Sequence, residues 1–215
     1  MISVFLVDDH ELVRTGIRRI LEDVRGLKVA GEATTGESAV QWCREHSADV
    51  ILMDMNMPGI GGLEATKKIL RHTPDARIIV LTVNCENPFP TKVMQAGAAG
   101  YLTKSSAPDE MIQAIRAVHA GQRYISPEIA QQMALSQFAT QDSDNPFKAL
   151  SERELQIMLM ITKGSKVNDI AEQLSLSPKT VNSYRYRLFD KLNISGDVEL
   201  TRMAIRYGML DAQSL

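Results

Sequence analysis

Two adjacent aspartates, Asp8 and Asp9, a third at Asp54, a hydroxyl at Thr82 and an amine at Lys104 are the side chains of this sequence best suited to chemistry. Three carboxylates gathered within a few ångströms repel one another, so a bound cation or raised pKa values must relieve them. An all-oxygen donor set with few protein ligands suits Mg²⁺, which keeps several waters and shares its shell with phosphate oxygens. A cation held by Asp8, Asp9 and Asp54 would align a phosphoryl group for attack by one carboxylate oxygen. Lys104 would offset charge developing on the phosphoryl oxygens, and the Thr82 hydroxyl would donate to one of them.

Such a set works only if the fold gathers it. Short apolar runs at 4–7 (VFLV), 28–30, 50–53 (VILM), 78–81 (IIVL) and 100–102 alternate with helix-forming stretches at 11–22, 36–45, 62–71, 91–96 and 107–120. Runs this short and continuously apolar suit a parallel sheet covered on both faces. The alternation predicts an α/β doubly wound, five-stranded parallel sheet. In such sheets ligands bind at the carboxyl ends of the strands. Asp8 and Asp9 follow the first run, Asp54 the third, Thr82 the fourth and Lys104 the fifth, so all fall on one edge. Taken singly, the aspartate pair could cap the helix that follows, Thr82 could be an ordinary strand residue and Lys104 a solvated charge. Asp54 has less structural motive, since it ends a buried run and precedes the turn-forming MPGIGG.

The bulk properties limit the partners. The 215 residues carry a net charge of −2, so no global basic field advertises nucleic acid and any DNA surface must be local. Residues 1–120 hold 13 basic against 15 acidic side chains, whereas residues 146–215 hold 10 against 8. Two cysteines, Cys43 and Cys85, have no metal or redox spacing and suit a reducing compartment. The N-terminus reads as a strand rather than a signal peptide, and no run reaches membrane-spanning length; the expectation is a cytoplasmic protein without membrane contact. His10, His46, His72 and His119 are scattered and offer no metal or triad spacing.

Beyond residue 120 the pattern changes. Residues 127–138 form another helix-like stretch, and 140–146 (TQDSDNP) read as a linker. Ser151 with Glu154 is a capping box opening a helix that ends at Gly164; residues 167–174 give a second helix. Ser177 caps a third, with Pro178 in its first turn, which makes a helix-turn-helix. In the third helix Val181, Leu188 and Leu192 point to the core. Lys179, Asn182, Ser183 and Tyr186 share another face, without an acid, that suits base edges. Arg185, Arg187 and Lys191 flank this face, placed to meet phosphates, with Thr180 beside Lys179 in the first turn.

The motifs LVDDHELVR, VILMDMNMPGIGGLEA, IIVLTV and AGAAGYLTK closely resemble the receiver domain of two-component response regulators, whose fold is flavodoxin-like. The resemblance implies that Asp8 and Asp9 are the metal-binding pair, Asp54 the phosphoacceptor, and Asn56 the donor of a backbone carbonyl to Mg²⁺. It likewise implies that Thr82 and Lys104 sense the phosphoryl group and that Tyr101 changes rotamer on phosphorylation. Val83 departs from the pattern, being bulkier than the residue usual there. LSERE, the KG turn, IAEQLSLSPKTVNSY and DKLNI resemble the LuxR-type helix-turn-helix of the NarL/FixJ family, with Tyr184 where many members carry His. The whole chain is similar to the GacA/UvrY branch of that family.

The resemblance divides the chain into a receiver domain (1–120), a linker with a helix-forming stretch (121–147) and a DNA-binding domain (148–215). It implies a sensor histidine kinase of the hybrid type as partner, double-stranded DNA as target, control of transcription, and action as a homodimer. A rival is a phosphohydrolase with Asp54 as nucleophile. Such enzymes of the haloacid dehalogenase type want a second Asp two residues on, where this chain has Asn56, so no turnover on a separate substrate is expected. A second rival is a DNA-binding protein whose receiver takes no phosphate. The complete set of Asp8, Asp9, Asp54, Thr82 and Lys104 argues against that.

Overall fold

The computed structural model describes residues 1–82, 89–139, 146–174, 176–207 and 209. Val83 and Cys85, residues 140–145 of the expected linker, and Ser175 between the second and third expected helices lie outside them. The chain divides into two compact units, Met1–Gln137 and Phe138–Leu215.

In the first unit the strands are β1 (Ile2–Val7), β2 (Leu27–Ala33), β3 (Val50–Asp54), β4 (Ile78–Thr82), β5 (Gly100–Thr103) and β6 (Tyr124–Ile125). They form one parallel sheet in the order β2-β1-β3-β4-β5-β6, so the winding reverses between β1 and β3. The helices are α1 (Glu11–Glu22), α2 (Gly36–Glu45), α3 (Gly61–His72), α4 (Phe89–Gln95), α5 (Pro108–His119) and α6 (Pro127–Ala139).

Alternate residues of each run enter opposite cores. Val4, Leu6, Val50, Leu52, Ile79 and Leu81 pack with Ile17 and Leu21 of α1 and with Met111, Ile115 and Val118 of α5. Phe5, Val7, Ile51, Met53, Ile78 and Val80 pack with Ala39 and Val40 of α2 and with Leu63 and Ile69 of α3. Both faces are covered, which is why the runs carry no polar alternation. Phe5 also stacks on Trp42, ring centroids 3.9 Å apart, and Trp42 on His46.

The sheet has six strands where the sequence predicted five. β6 contributes only two residues, pairing Tyr124 with Gly100 and Ile125 with Tyr101, and it follows the exposed stretch 121–123. Two residues are too few to show a period. Consequently β6 and most of α6, assigned by sequence to the linker, belong to the first unit.

The second unit is helical: a 3₁₀ turn (Pro146–Ala149), then α7 (Glu152–Thr162), α8 (Val167–Gln173), α9 (Pro178–Leu192) and α10 (Asp197–Arg206). The capping box is present as predicted, Ser151 Oγ accepting from the Glu154 N–H while the Glu154 carboxylate accepts from the Ser151 N–H. Ser177 caps α9 by accepting from the Thr180 N–H. Gly164 ends the first helix with φ +81°, and Asn193 ends α9 in the left-handed region. Val181, Leu188 and Leu192 are buried against α7 and α8. The sequence reading did not single out α10, whose Leu200 and Ala204 close this core.

Candidate functional site: an acidic switch pocket and a basic helix face

β1 and β3 lie side by side with Val7 opposite Met53, so the residues leaving their ends meet. Asp8 follows β1 and Asp54 closes β3; both are almost fully buried, at 1% and 0% exposure. Asp9 and His10 sit beside them, and donor atoms of Asp8, Asp9, His10 and Asp54 all lie within 4.8 Å of one another. The scattered-histidine reading is corrected here: His10 joins the cluster because three consecutive residues turn off the end of one strand.

Lys104 answers the buried charge. Its Nζ lies 2.7 Å from Asp8 Oδ2 and 2.9 Å from Asp54 Oδ2. The Lys104 N–H donates to the Thr82 carbonyl at 2.6 Å, so the lysine is tied to the end of β4. Burial pushes the Asp54 carboxyl above its ordinary value, although Lys104 and the Asn56 N–H pull against this. Burial would lower Lys104, but Asp8 and Asp54 outweigh it and hold the ammonium above its ordinary value. An ammonium placed between two carboxylates is thereby kept charged.

The supporting contacts are tight. Arg14 of α1 donates to the Asp8 carbonyl and to Glu32, each at 2.8 Å, fixing the strand end from behind. Gly62 lies against the Asp54 backbone so closely that a Cβ would stand 2.0 Å from its carbonyl oxygen. Neither residue was flagged by sequence; close backbone approach leaves no signal beyond the glycine itself.

Of the predicted residues, Asp8, Asp9, Asp54 and Lys104 are brought together by the fold. Thr82 is buried at the end of β4, one strand over from Asp54. Tyr101 is wholly buried on β5 opposite Val80. Asn56 is exposed, two residues beyond Asp54. The three-aspartate oxygen set suits a hard divalent cation.

The second candidate surface is α9. Lys179, Ser183, Tyr186 and Arg187 are exposed, while Thr180 and Asn182 are half-buried. Tyr186 stands 66% exposed, a large aromatic presented to solvent. Arg187 lies over the Tyr184 ring at 5.5 Å. Lys191 is committed elsewhere: its Nζ sits 2.7 Å from Glu154 Oε2, where the sequence reading made it a phosphate contact. Arg185 similarly holds Asp197 of α10.

Comparison with known proteins matches both halves. The family described as response regulator receiver domain covers residues 4–116, and the luxR family of bacterial regulatory proteins covers residues 148–204. Response regulator UvrY of Escherichia coli K12 is 69% identical over 215 residues, spanning 100% of this chain and 99% of that one. Response regulator GacA of Pseudomonas aeruginosa is 60% identical over 214 residues, spanning 100% of both. Among solved structures, RcsB from Salmonella enterica serovar Typhimurium, bound to promoter P1flhDC in the presence of phosphomimetic BeF₃⁻, is similar with TM-score 0.63. It is 28% identical and covers 94% of this chain and 97% of that one. A LuxR-family two-component response regulator from Aurantimonas is 43% identical with TM-score 0.62, covering 64% of this chain and 99% of that one.

A parallel α/β unit with an acidic pocket, followed by a helix-turn-helix unit, defines a two-component response regulator. This chain belongs to that family, with a receiver domain and a LuxR-type DNA-binding domain. No helix among the described residues is long and apolar enough to cross a membrane.

Proposed function

We propose that Asp54 accepts a phosphoryl group from a sensor histidine kinase of the hybrid type, and that this controls binding of α9 to double-stranded DNA in the cytoplasm. The observation that carries the reading is Lys104 Nζ held between Asp8 and Asp54. An Asp54 carboxylate oxygen attacks phosphorus, the bond to the donor breaks, and the donor leaves with its electron pair. Asp8, Asp9, Asp54 and the Asn56 carbonyl would hold Mg²⁺, which supplies charge neutralisation for the phosphoryl oxygens. Lys104 shifts its ion pair toward the new phosphoryl charge, and the Thr82 hydroxyl donates to the same group. Tyr101, one strand further out and buried, then repacks and changes the face built from β4 and β5.

On α9, Lys179, Asn182, Ser183 and Tyr186 face base edges, while Thr180 and Arg187 meet phosphates. Lys191 serves first as a structural anchor for Glu154. A single module has a modest basic surface, so two copies on a two-fold axis are needed for firm binding, and phosphorylation favours that dimer.

Acetyl phosphate and Mg²⁺ test the reading. Intact mass should rise by roughly 80 Da, one phosphoryl group, in the wild type and not in Asp54→Asn. An equal gain in both proteins would move the phosphoacceptor away from Asp54.

A further inference from the structure

The acidic pocket has two differently furnished sides. Lys104 takes the Oδ2 atoms of Asp8 and Asp54. On the other side the His10 ring Nδ1 lies 2.9 Å from Asp9 Oδ1 and 3.3 Å from Asp8 Oδ1. Neighbouring donors around one divalent cation, with bonds of about 2.0–2.2 Å, are separated by about 3 Å, so these spacings match adjacent corners of a coordination shell. The turn is pinned by the His10 N–H donating to Asp8 Oδ1 at 2.8 Å. The ring itself is 61% exposed, open to a cation arriving from solvent.

Mg²⁺ prefers oxygen donors and keeps its waters, so an imidazole adds little to its binding. Transition cations of intermediate softness, Fe²⁺ through Zn²⁺, gain from imidazole nitrogen. We propose that His10 is a cation-selectivity residue, adding a nitrogen ligand beside Asp8 and Asp9 that lets the pocket hold a divalent transition cation more tightly than Mg²⁺. The inference rests on the receiver reading of the pocket. It gives the site two occupants: a hard cation using oxygen donors alone, and a softer one using His10 as well. The second competes for the place where phosphoryl transfer needs the first.

Co²⁺ is a suitable probe because its binding is visible both calorimetrically and by paramagnetic shifts. The full chain, His10→Gln and Asp9→Asn are each titrated with Mg²⁺ and with Co²⁺. In His10→Gln the Co²⁺ affinity is expected to fall roughly tenfold or more, with Mg²⁺ affinity unchanged. The Co²⁺-loaded wild type should show a strongly shifted, solvent-exchangeable ring N–H proton resonance that His10→Gln lacks. Absence of that resonance, or loss of both cations in equal measure, overturns the proposal. If Asp9→Asn weakens both cations while His10→Gln weakens neither, the receiver reading stands and the His10 proposal falls. If Mg²⁺ binding survives Asp9→Asn undiminished, the reading of the pocket fails and takes the proposal with it.

Discussion

Lys191 Nζ lies 2.7 Å from Glu154 Oε2, joining the last turn of α9 to the first turn of α7 across 37 residues. Glu154 is nearly fully buried and also accepts from Ser151, so one carboxylate closes a helix cap and anchors the DNA-facing helix. Removing the lysine leaves that carboxylate buried with only its cap. Lys191 is itself 41% exposed, and solvent screening reduces its worth. Lys191→Ala should therefore destabilise the second unit by about 1–2 kcal/mol in chemical denaturation. Unchanged stability together with weakened DNA binding would restore Lys191 to the phosphate contacts.

The same carboxylate predicts an acid limit. Burial pushes Glu154 up, but the hydrogen bonds from Lys191 and Ser151 outweigh it and hold the group below its ordinary value. A depressed folded-state pKa contributes stability that is fully present above the unfolded value of about 4.3 and is lost as pH falls through the folded one. Stability of wild type minus Glu154→Gln, followed by denaturation from pH 7 downward, should shrink only below about pH 5. A difference independent of pH would remove the charge from the explanation.

Asp54 runs the other way. Its carboxyl is raised, chiefly by burial, so the folded state resists ionising it. This penalty is absent below the unfolded value of about 3.9 and complete above the folded one. Asp54→Asn should accordingly stabilise the first unit at pH 7 and do so less at pH 4. The gain expected is on the order of 1 kcal/mol, because Lys104 already offsets part of the cost. Stabilisation of equal size at both pH values would argue for packing rather than charge.

The features easiest to read in the sequence were those written into consecutive residues. VILMD shows both the buried strand and the acid at its end, and SERE shows a capping box, so β3 and α7 are visible in the sequence alone. What stayed hidden depends on distance through space. His10 adjoins Asp8 and Asp9 in the chain, but it comes near Asp54 only because β1 ends beside β3. The Lys191–Glu154 pair spans two helices that sequence treats as separate. β6 has too few residues to show a period, and its pairing with β5 decides that it belongs to the sheet.

Gly62 gives a sharper test of the pocket's geometry. A Cβ there would stand 2.0 Å from the Asp54 carbonyl oxygen and 2.8 Å from its carbonyl carbon, and backbone atoms cannot move aside cheaply. Gly62→Ala should displace the end of β3, cost about 1–3 kcal/mol and slow phosphorylation by acetyl phosphate at least tenfold. Gly16, inside α1, has nothing near its Cβ position among the described residues, so Gly16→Ala should leave phosphorylation intact. It should also stabilise the helix by up to about 1 kcal/mol. Comparable losses in both variants would mean the pocket tolerates no change at all and the Asp54 contact is not special.

Tyr186 is the residue of α9 whose exposure is hardest to justify without a partner, since 66% of a large aromatic faces solvent. Its removal deprives the fold of almost no packing, and Tyr186→Ala should stay within about 0.5 kcal/mol of wild-type stability. Against a duplex selected from a random-sequence pool, the affinity of the phosphorylated protein should drop about tenfold while the salt dependence stays the same, as expected for a lost base contact. Arg187→Ala should instead reduce the slope of log affinity against log salt by about one, as expected for a lost phosphate contact. Fluorescence anisotropy at several salt concentrations separates the two. Wild-type affinity in Tyr186→Ala would turn this face of α9 away from the bases and leave the DNA surface to be sought elsewhere on the second unit.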